Sequence, residues 1–194
     1  DCQSESGAYT AIRLIRTSSA AWSTLQRSIV ITGTFGGSNG GDAAGSLVGT
    51  VNASATTMTV SDSSLVGVGD LLLAESERVI VTEKELIDST ATVTGSVAAS
   101  NTVTTIPVSN GALVHQGELI LVGAERMFVE SISGNNLTVK RQSNGSILAA
   151  HVNTDVVYVP RLCTIRRASV GTTAASHTNV TLTRNAPPSL VQEL

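Results

Sequence analysis

Short runs in which apolar and polar residues alternate follow one another along most of this chain. Alternation over about four to eight residues predicts a β-strand with one buried face. Residues 9–16 and 26–35 predict two strands near the start, and residues 161–169 and 178–184 predict two more near the end. Residues 36–46 contain five glycines in eleven positions, which predicts a linker or a long turn.

A sequence repeat fills the space between these outer strands. Residues 54–81 and 102–129 align without a gap at a spacing of 48 residues. Each copy predicts a short strand, a polar turn and a hairpin. A repeat at a fixed spacing indicates a duplicated supersecondary unit, and such units build surfaces more often than active sites. The identical pairs are Thr56/Thr104, Thr57/Thr105, Val60/Val108, Ser61/Ser109, Leu65/Leu113, Val66/Val114, Gly69/Gly117, Leu71/Leu119, Leu73/Leu121, Glu77/Glu125, Arg78/Arg126 and Val81/Val129.

These patterns predict a mainly β protein in which two homologous small β-modules are inserted in tandem into a base sheet. The base sheet is formed by strands from 9–35 and 161–184, because insertion is tolerated where the chain leaves and re-enters at neighbouring points. The prolines after Asn185 predict the start of a helix, so we expect a slice of a longer polypeptide. The predicted segments are 1–48 (base strands and linker), 49–95 (first module), 96–160 (second module) and 161–194 (returning base strands and helix start).

Composition supports the β prediction and argues against some functions. Charged residues make up only 14% of the 194 residues, while Gly, Val, Ser and Thr are frequent. Aromatic residues make up 3%, which argues against a surface that stacks nucleic-acid bases or sugars. The net charge of −3 is too small to imply a polyanionic partner or a membrane surface. No apolar run reaches the roughly 18 residues that a membrane-spanning helix needs.

Charged residues are unevenly distributed along the chain. Residues 70–88 are predominantly acidic, and residues 140–167 are predominantly basic. One interpretation is two solvated faces. The other is head-to-tail pairing of neighbouring copies in a ring, which brings opposite charges together at an inter-subunit interface. The interface residues under the second interpretation are Asp70, Glu75, Glu83, Glu85, Asp88, Lys140, Arg141, Arg161, Arg166 and Arg167.

The sequence offers little for catalysis or metal binding. His115, His151 and His177 are far apart, and none has a second ligand at metal-binding spacing. No phosphate-binding loop or nucleophile elbow occurs. Cys2 and Cys163 lie near opposite ends of the sequence, and we expect them to be free. We therefore predict no catalytic residue, no metal site and no cofactor.

The repeated Glu-Arg pair is the strongest candidate for chemistry. Glu77-Arg78 in the first copy recurs as Glu125-Arg126 in the second. A recurring acid beside a base can serve catalysis, but it also suits a repeated structural contact. We expect the structural role, with the arginine binding a turn carbonyl or a carboxylate across the hairpin.

Residues 108–159 carry a series of motifs that resembles a known kind of module. The series resembles a small β-module of tailed-bacteriophage virion proteins. The first repeat matches this module only up to Val81, where a different sequence replaces the tail. The motifs are Gly117-Glu118, the apolar run 119–121, Glu125-Arg126-Met127, Asn136-Leu137-Thr138-Val139-Lys140-Arg141, Asn144-Gly145-Ser146 and Ala149-Ala150-His151.

The flanking segments are similar to parts of phage head-to-tail adaptor proteins, also called connector or neck proteins. Residues 27–36 resemble a strand of those proteins, and residues 186–194 resemble the helix to which it leads. This chain departs from that pattern because it holds two modules between the two segments. Phe35 also stands where Trp is common in the family.

The resemblance implies a non-enzymatic structural subunit of a virion, located at the head–tail junction and assembled in the cytoplasm of a bacterial host. Copies would form a homo-oligomeric ring that binds the portal and other neck or tail proteins. DNA would pass through the lumen without sequence-specific binding, helped by repulsion if residues 70–88 face inward. No membrane partner is implied.

Three alternatives stay open at this stage. The same modules would suit a decoration, tail or baseplate component of the virion. A glycan-binding module for host attachment is the next alternative, although Tyr9, Trp22 and Tyr158 do not cluster in sequence. An enzyme is the last, and it would need one of the histidines to meet a carboxylate in a pocket.

Overall fold

The computed structural model describes residues 41–184, and these residues form a mainly β fold, as predicted. The helical segments among them are turns of three residues. The predicted strands at 9–16 and 26–35 and the predicted helix start after Asn185 lie outside the described residues. The strands are β1 (Asp42–Val48), β2 (Thr50–Val51), β3 (Thr57–Val60), β4 (Leu71–Ala74), β5 (Glu77–Thr92), β6 (Thr105–Pro107), β7 (Leu119–Val122), β8 (Glu125–Ser133), β9 (Asn136–Lys140), β10 (Val156–Arg166), β11 (His177–Thr178) and β12 (Thr181–Arg184).

Six strands close into a first barrel. Their order is β3-β1-β12-β4-β5-β10, and a further pairing between β3 and β10 completes the circle. All the pairings are antiparallel. Closure leaves no strand edge of this barrel unpaired, which removes the edges through which β-proteins aggregate. The short strands β2 and β11 pair separately.

A second barrel continues from the same two long strands. β7, β8, β9 and β6 follow β10 in the sheet order. The circle closes where an isolated bridge joins Val108, just after β6, to Val93, just after β5. Hydrogen bonds of 2.8 Å from Thr94 N to Pro107 O and from Ser109 N to Thr92 O flank this bridge.

The strands β5 and β10 belong to both barrels. β5 has 16 residues and β10 has 11, whereas most of the other strands have five or fewer. The register of the β5–β10 pair shifts between Val159 and Leu162, where the two strands pass from one barrel to the other. Each barrel has its own core of buried aliphatic side chains. Leu72 and Leu182 lie in the first core, and Ile120 and Leu137 lie in the second.

The two barrels have the same internal design. The β8–β9 hairpin pairs Val129 with Val139 and Ile132 with Leu137. At the equivalent places of the first barrel, β5 and β10 pair Val81 with Ile165 and Lys84 with Cys163. In the first barrel β12 lies beside β4, just as the start of β10 lies beside β7 in the second barrel. In the same way, β1 of the first barrel corresponds to the end of β5 in the second barrel.

This equivalence shows that the second barrel is nested within the first. In the second barrel, Gly134-Asn135 forms the turn that joins β8 to β9. In the first barrel, residues 86–161 stand in place of that turn, and they contain the whole second barrel. The first unit therefore begins with β1, is interrupted after residue 85, and resumes at residue 162.

The grouping of strands differs from the predicted one in residues 161–184. The sequence suggested that these residues return to a base sheet with 9–35. In the structure they complete the first barrel, where β12 lies between β1 and β4 and the second half of β10 lies between β5 and β3. Both edges of these strands are occupied, so they cannot also extend another sheet edge to edge.

Candidate functional site

Two clusters of buried titratable side chains occupy equivalent places, one in each barrel. The first is centred on Glu77, which is fully buried at the start of β5. Arg167 donates to both of its carboxylate oxygens at 2.8 and 2.6 Å. The backbone N–H groups of Ala168 and Ala175 each donate to it at 3.0 Å. His177 Nε2 lies 2.9 Å from Oε2 and completes the cluster.

The second cluster repeats this arrangement around Glu125, which is fully buried at the start of β8. Arg141 donates to both carboxylate oxygens at 2.8 and 2.7 Å. The N–H groups of Gln142 and Ala149 donate at 3.1 and 3.0 Å. His151 Nε2 lies 3.0 Å from Oε2.

The partners of the two glutamates reveal a second sequence repeat, at a spacing of 26 residues. Arg141, Gln142, Ala149 and His151 correspond to Arg167, Ala168, Ala175 and His177. The shared pattern is Arg-x-Ser-x-Gly, followed by Ala-x-His-x-Asn. Sequence reasoning missed this pattern because it searched for the tail of the first unit directly after Val81. The structure places that tail after the nested barrel.

The hydrogen bonds decide the ionisation state of both glutamates. Burial raises the pKa of a carboxyl group, but in Glu125 the donation from Arg141, Ala149, Gln142 and His151 outweighs burial and lowers the pKa to about 2. The same balance holds the pKa of Glu77 far below its usual range. Both side chains are therefore carboxylates at neutral pH.

These clusters fasten loops. Arg141 also donates to the carbonyls of Ala98 and Val103, in the loop between β5 and β6, and of Ala149, in the loop between β9 and β10, and thereby ties two loops to one carboxylate. Arg167 likewise donates to the carbonyls of Asn52 and Ala175. With both carboxylate oxygens buried and held by several donors, neither glutamate is open to a substrate.

Glu77 and Glu125 each make a structural contact with an arginine, but these arginines are not Arg78 and Arg126. Arg78 and Arg126 do not pair with the neighbouring glutamates, because adjacent side chains in a strand point to opposite faces. Their backbone N–H groups donate to Thr172 Oγ1 and Ser146 Oγ at 3.0 and 2.9 Å. The guanidinium partners come instead from residues 167 and 141.

A third polar cluster joins the two barrels. Glu118 of the second barrel is fully buried and accepts from Arg161 at 2.7 and 2.8 Å. It also accepts from the N–H and the hydroxyl of Ser63, in the first barrel, at 3.1 and 2.9 Å. Lys84 Nζ donates to the carbonyls of Ser63 and Val66, each at 2.7 Å. Burial lowers the pKa of Lys84, whereas Arg161 and the N–H donors outweigh burial and lower the pKa of Glu118.

Three side chains at this junction lie close enough to suggest a metal site. Asp62, His115 and Glu118 bring ligand atoms within 4.8 Å of one another. Arg161 already occupies the region, with Nη2 at 2.8 Å from Glu118 Oε2 and 2.6 Å from His115 Nδ1. A cation would have to displace this guanidinium, so the donor set fits an ion pair better than a metal.

The charged residues expected at an inter-subunit interface separate into two groups. Four are held within the chain, because Asp70 is buried and accepts from Gly67 N and the three arginines pair with buried glutamates. The other six are exposed, and one of them, Glu75, also has an intramolecular partner, because its Oε2 lies 2.8 Å from His177 Nδ1. These exposed residues are Glu75, Glu83, Glu85, Asp88, Lys140 and Arg166.

Cys163 is buried and free, and burial raises the pKa of its thiol to about 11, which makes it unreactive at neutral pH. Cys2 lies outside the described residues.

No protein-family model, curated protein or solved structure matches the chain. In residues 41–184, none of the helices has the length and apolar character that crossing a membrane requires.

Proposed function

We propose that this chain is a non-enzymatic structural subunit of a tailed-phage particle, acting as a head-to-tail adaptor in a ring between portal and tail. The observation that carries the proposal is the form of the described part. It is two nested β-modules that leave and return at one place, where β1 and β12 pair Asp42 with Arg184. Such a form suits modules that project from a body built by the rest of the chain.

The buried clusters support a structural role. In the described part of the chain, each strongly buried glutamate binds an arginine and backbone N–H groups, and each fastens loops or joins the barrels. A catalytic carboxylate would instead face a cleft where substrate could reach it. The motifs that resemble a virion module, including Glu125, Arg141 and His151, are the residues that form one of these clusters.

The exposed charges are the proposed contacts between copies. Glu83, Glu85 and Asp88 are exposed on β5, while Lys140 and Arg166 are exposed on β9 and β10. Pairing of the acidic group of one copy with the basic group of the next would give the heterologous contact of a closed ring. The ring would bind the portal and neighbouring tail proteins and let DNA pass through its lumen.

The native mass tests this proposal. The 194-residue chain is measured by light scattering and particle imaging, alone and with portal protein. A closed ring of about a dozen copies, formed alone or on the portal, is expected of an adaptor. A head-to-tail contact between copies produces such a ring when the rotation between neighbours closes. A monomer that never assembles and binds glycans would contradict the proposal and favour an attachment module.

Charge-reversal variants make the test specific. Glu83→Lys combined with Glu85→Lys should abolish the ring while leaving the thermal unfolding of the monomer close to that of the parent chain. Thr50→Lys combined with Thr181→Lys is the control, because both residues are exposed on strands and neither is one of the proposed contact residues. If both variants assembled equally well, Glu83 and Glu85 would not be part of the interface between copies.

A further inference from the structure

The same position is filled in two different ways in the two barrels. In the second barrel, Gly134-Asn135 joins the paired strands β8 and β9. In the first barrel, residues 86–161 join the equivalent paired segments of β5 and β10. Because the registers on both sides correspond, the two connections are alternatives at one structural position.

Each connection satisfies the same backbone donor. Ser63 and Gly111 begin equivalent three-residue turns. In the first turn, Ser64 N donates to the capping side chain of Asp62 at 2.8 Å. In the second turn, Ala112 N donates to Asn110 at 3.1 Å. Where the second barrel is inserted, Ser63 N donates to Glu118 at 3.1 Å. Where the turn closes the hairpin, Gly111 N donates to Asn135 Oδ1 at 3.0 Å.

The size of the first turn residue matches what lies against it. The Ser63 hydroxyl donates to Glu118 Oε1 at 2.9 Å, so the serine gives the inserted barrel a second hydrogen bond. At Gly111, a Cβ atom would lie only 2.1 Å from the carbonyl oxygen of Gly134. A serine therefore suits the position that receives a module, and a glycine suits the position that a tight turn closes.

A second difference follows the same logic. Lys84 stands where the second barrel has Ile132, and its ammonium donates to the carbonyls of Ser63 and Val66. The pairs Lys84–Cys163 and Ile132–Leu137 thus distinguish a hairpin that carries a module from one that ends in a turn.

We infer that the Gly134-Asn135 turn is an acceptor site for a further inserted β-module of the kind formed by residues 86–161. The module that fits carries a carboxylate at the position of Glu118 and an arginine at the position of Arg161. A further module would therefore be inserted at the hairpin turn of the second barrel, as the second barrel is inserted in the first. This inference concerns folding alone and does not rest on the proposed virion role.

The test inserts a second copy of residues 86–161 in place of Gly134-Asn135 in the full chain, with Ile132→Lys. Gly111→Ser is then made in the parent chain and, at the original Gly111 and not at its inserted copy, in the extended chain. Thermal unfolding of all four proteins is measured. The substitution should lower the Tm of the parent, because its Cβ meets the Gly134 carbonyl. It should raise the Tm of the extended chain by about 2 °C, through a hydrogen bond like that of Ser63.

Hydrogen exchange supplies the second measurement. The Val129 and Val139 amides, which donate to Glu118 O and Thr104 O, should keep their protection within about tenfold of the parent in the extended chain. The matched control places the same insertion in the Gly123-Ala124 turn, which has no equivalent junction, and there the protection should fall further. A Tm lowered by Gly111→Ser in both backgrounds, or greater protection in the control, would overturn the inference.

Discussion

At the scale of single residues, the barrels are fixed by carboxylates that are buried together with their partners. A buried charge is tolerated only when hydrogen bonds replace its lost hydration. Glu125 obtains these bonds from one guanidinium, two backbone N–H groups and one imidazole. Removal of a single partner therefore leaves an uncompensated charge in the barrel.

Truncation of the arginine partner tests this dependence. Arg141→Ala should lower the free energy of unfolding by about 3–5 kcal/mol, because it leaves Glu125 buried without its counter-charge. Arg126→Ala is the matched control, since that side chain is exposed, and it should change stability by less than about 0.5 kcal/mol. Urea unfolding measures both variants. Similar losses would mean that the Arg141–Glu125 pair contributes no special stability.

The lowered pKa of Glu125 predicts the acid sensitivity of the fold. The carboxyl titrates near 4.5 when unfolded and near 2 when folded, so its contribution is complete above pH 4.5 and is lost as the pH falls towards 2. The loss is on the order of 3 kcal/mol. Glu125→Gln should therefore show a smaller decrease in unfolding free energy over this interval than the parent. Parallel pH curves from denaturant titrations would contradict the assignment.

The sequence predicted one half of each cluster. Glu77 and Glu125 were identified because they recur within a gapless repeat. Their arginine partners could not be identified in the same way, because Arg167 is separated from Glu77 by the whole nested barrel, whereas Arg141 follows Glu125 after 16 residues. A pattern search at one fixed spacing cannot find a unit that is split in two.

At the scale of elements, the loops after β9 and β10 share an unusual backbone. Asn144 and Val170 occupy equivalent positions with φ of 51° and 54°, in the left-handed region. Asparagine adopts this conformation readily, whereas a β-branched residue does so only with strain. The first barrel therefore carries a local cost that the second avoids.

Exchange of these two residues tests the strain. Val170→Asn should stabilise the protein by about 1 kcal/mol, and Asn144→Val should destabilise it by a similar amount. Both side chains are exposed, so core packing does not confound the comparison. Chemical denaturation of the two variants provides the measurement. A change of the same sign in both would show that the backbone conformation is not the cause.

Strands and turns were largely predictable because they depend on local sequence. Alternation in 178–184 matches β12, and the repeated polar turns match the three-residue turns capped by Asp62 and Asn110. Strand partners were less predictable because pairing depends on distant segments. β12 pairs with β4, more than a hundred residues earlier in the chain.

At the scale of the whole molecule, the structure explains how a chain with few aromatic residues builds two stable cores. Each barrel closes on itself and buries its own aliphatic cluster. The continuous strands β5 and β10 and the Ser63–Glu118–Arg161 junction then join the barrels. The sequence separation of Glu77 from Arg167 and the equivalence of the two hairpin connections both follow from this nested design.

Methyl NOE spectroscopy of the full chain tests the nested design most directly. Leu182 lies in the core of the first barrel, and its strand neighbour is Ala74. We predict NOEs from the Leu182 methyl groups to the methyl groups of Ala74 and Val79, together with NOEs between Val81 and Ile165 across the β5–β10 pair. NOEs from Leu182 to residues 9–35, without those to Ala74, would contradict the nested design and would indicate a separate base sheet.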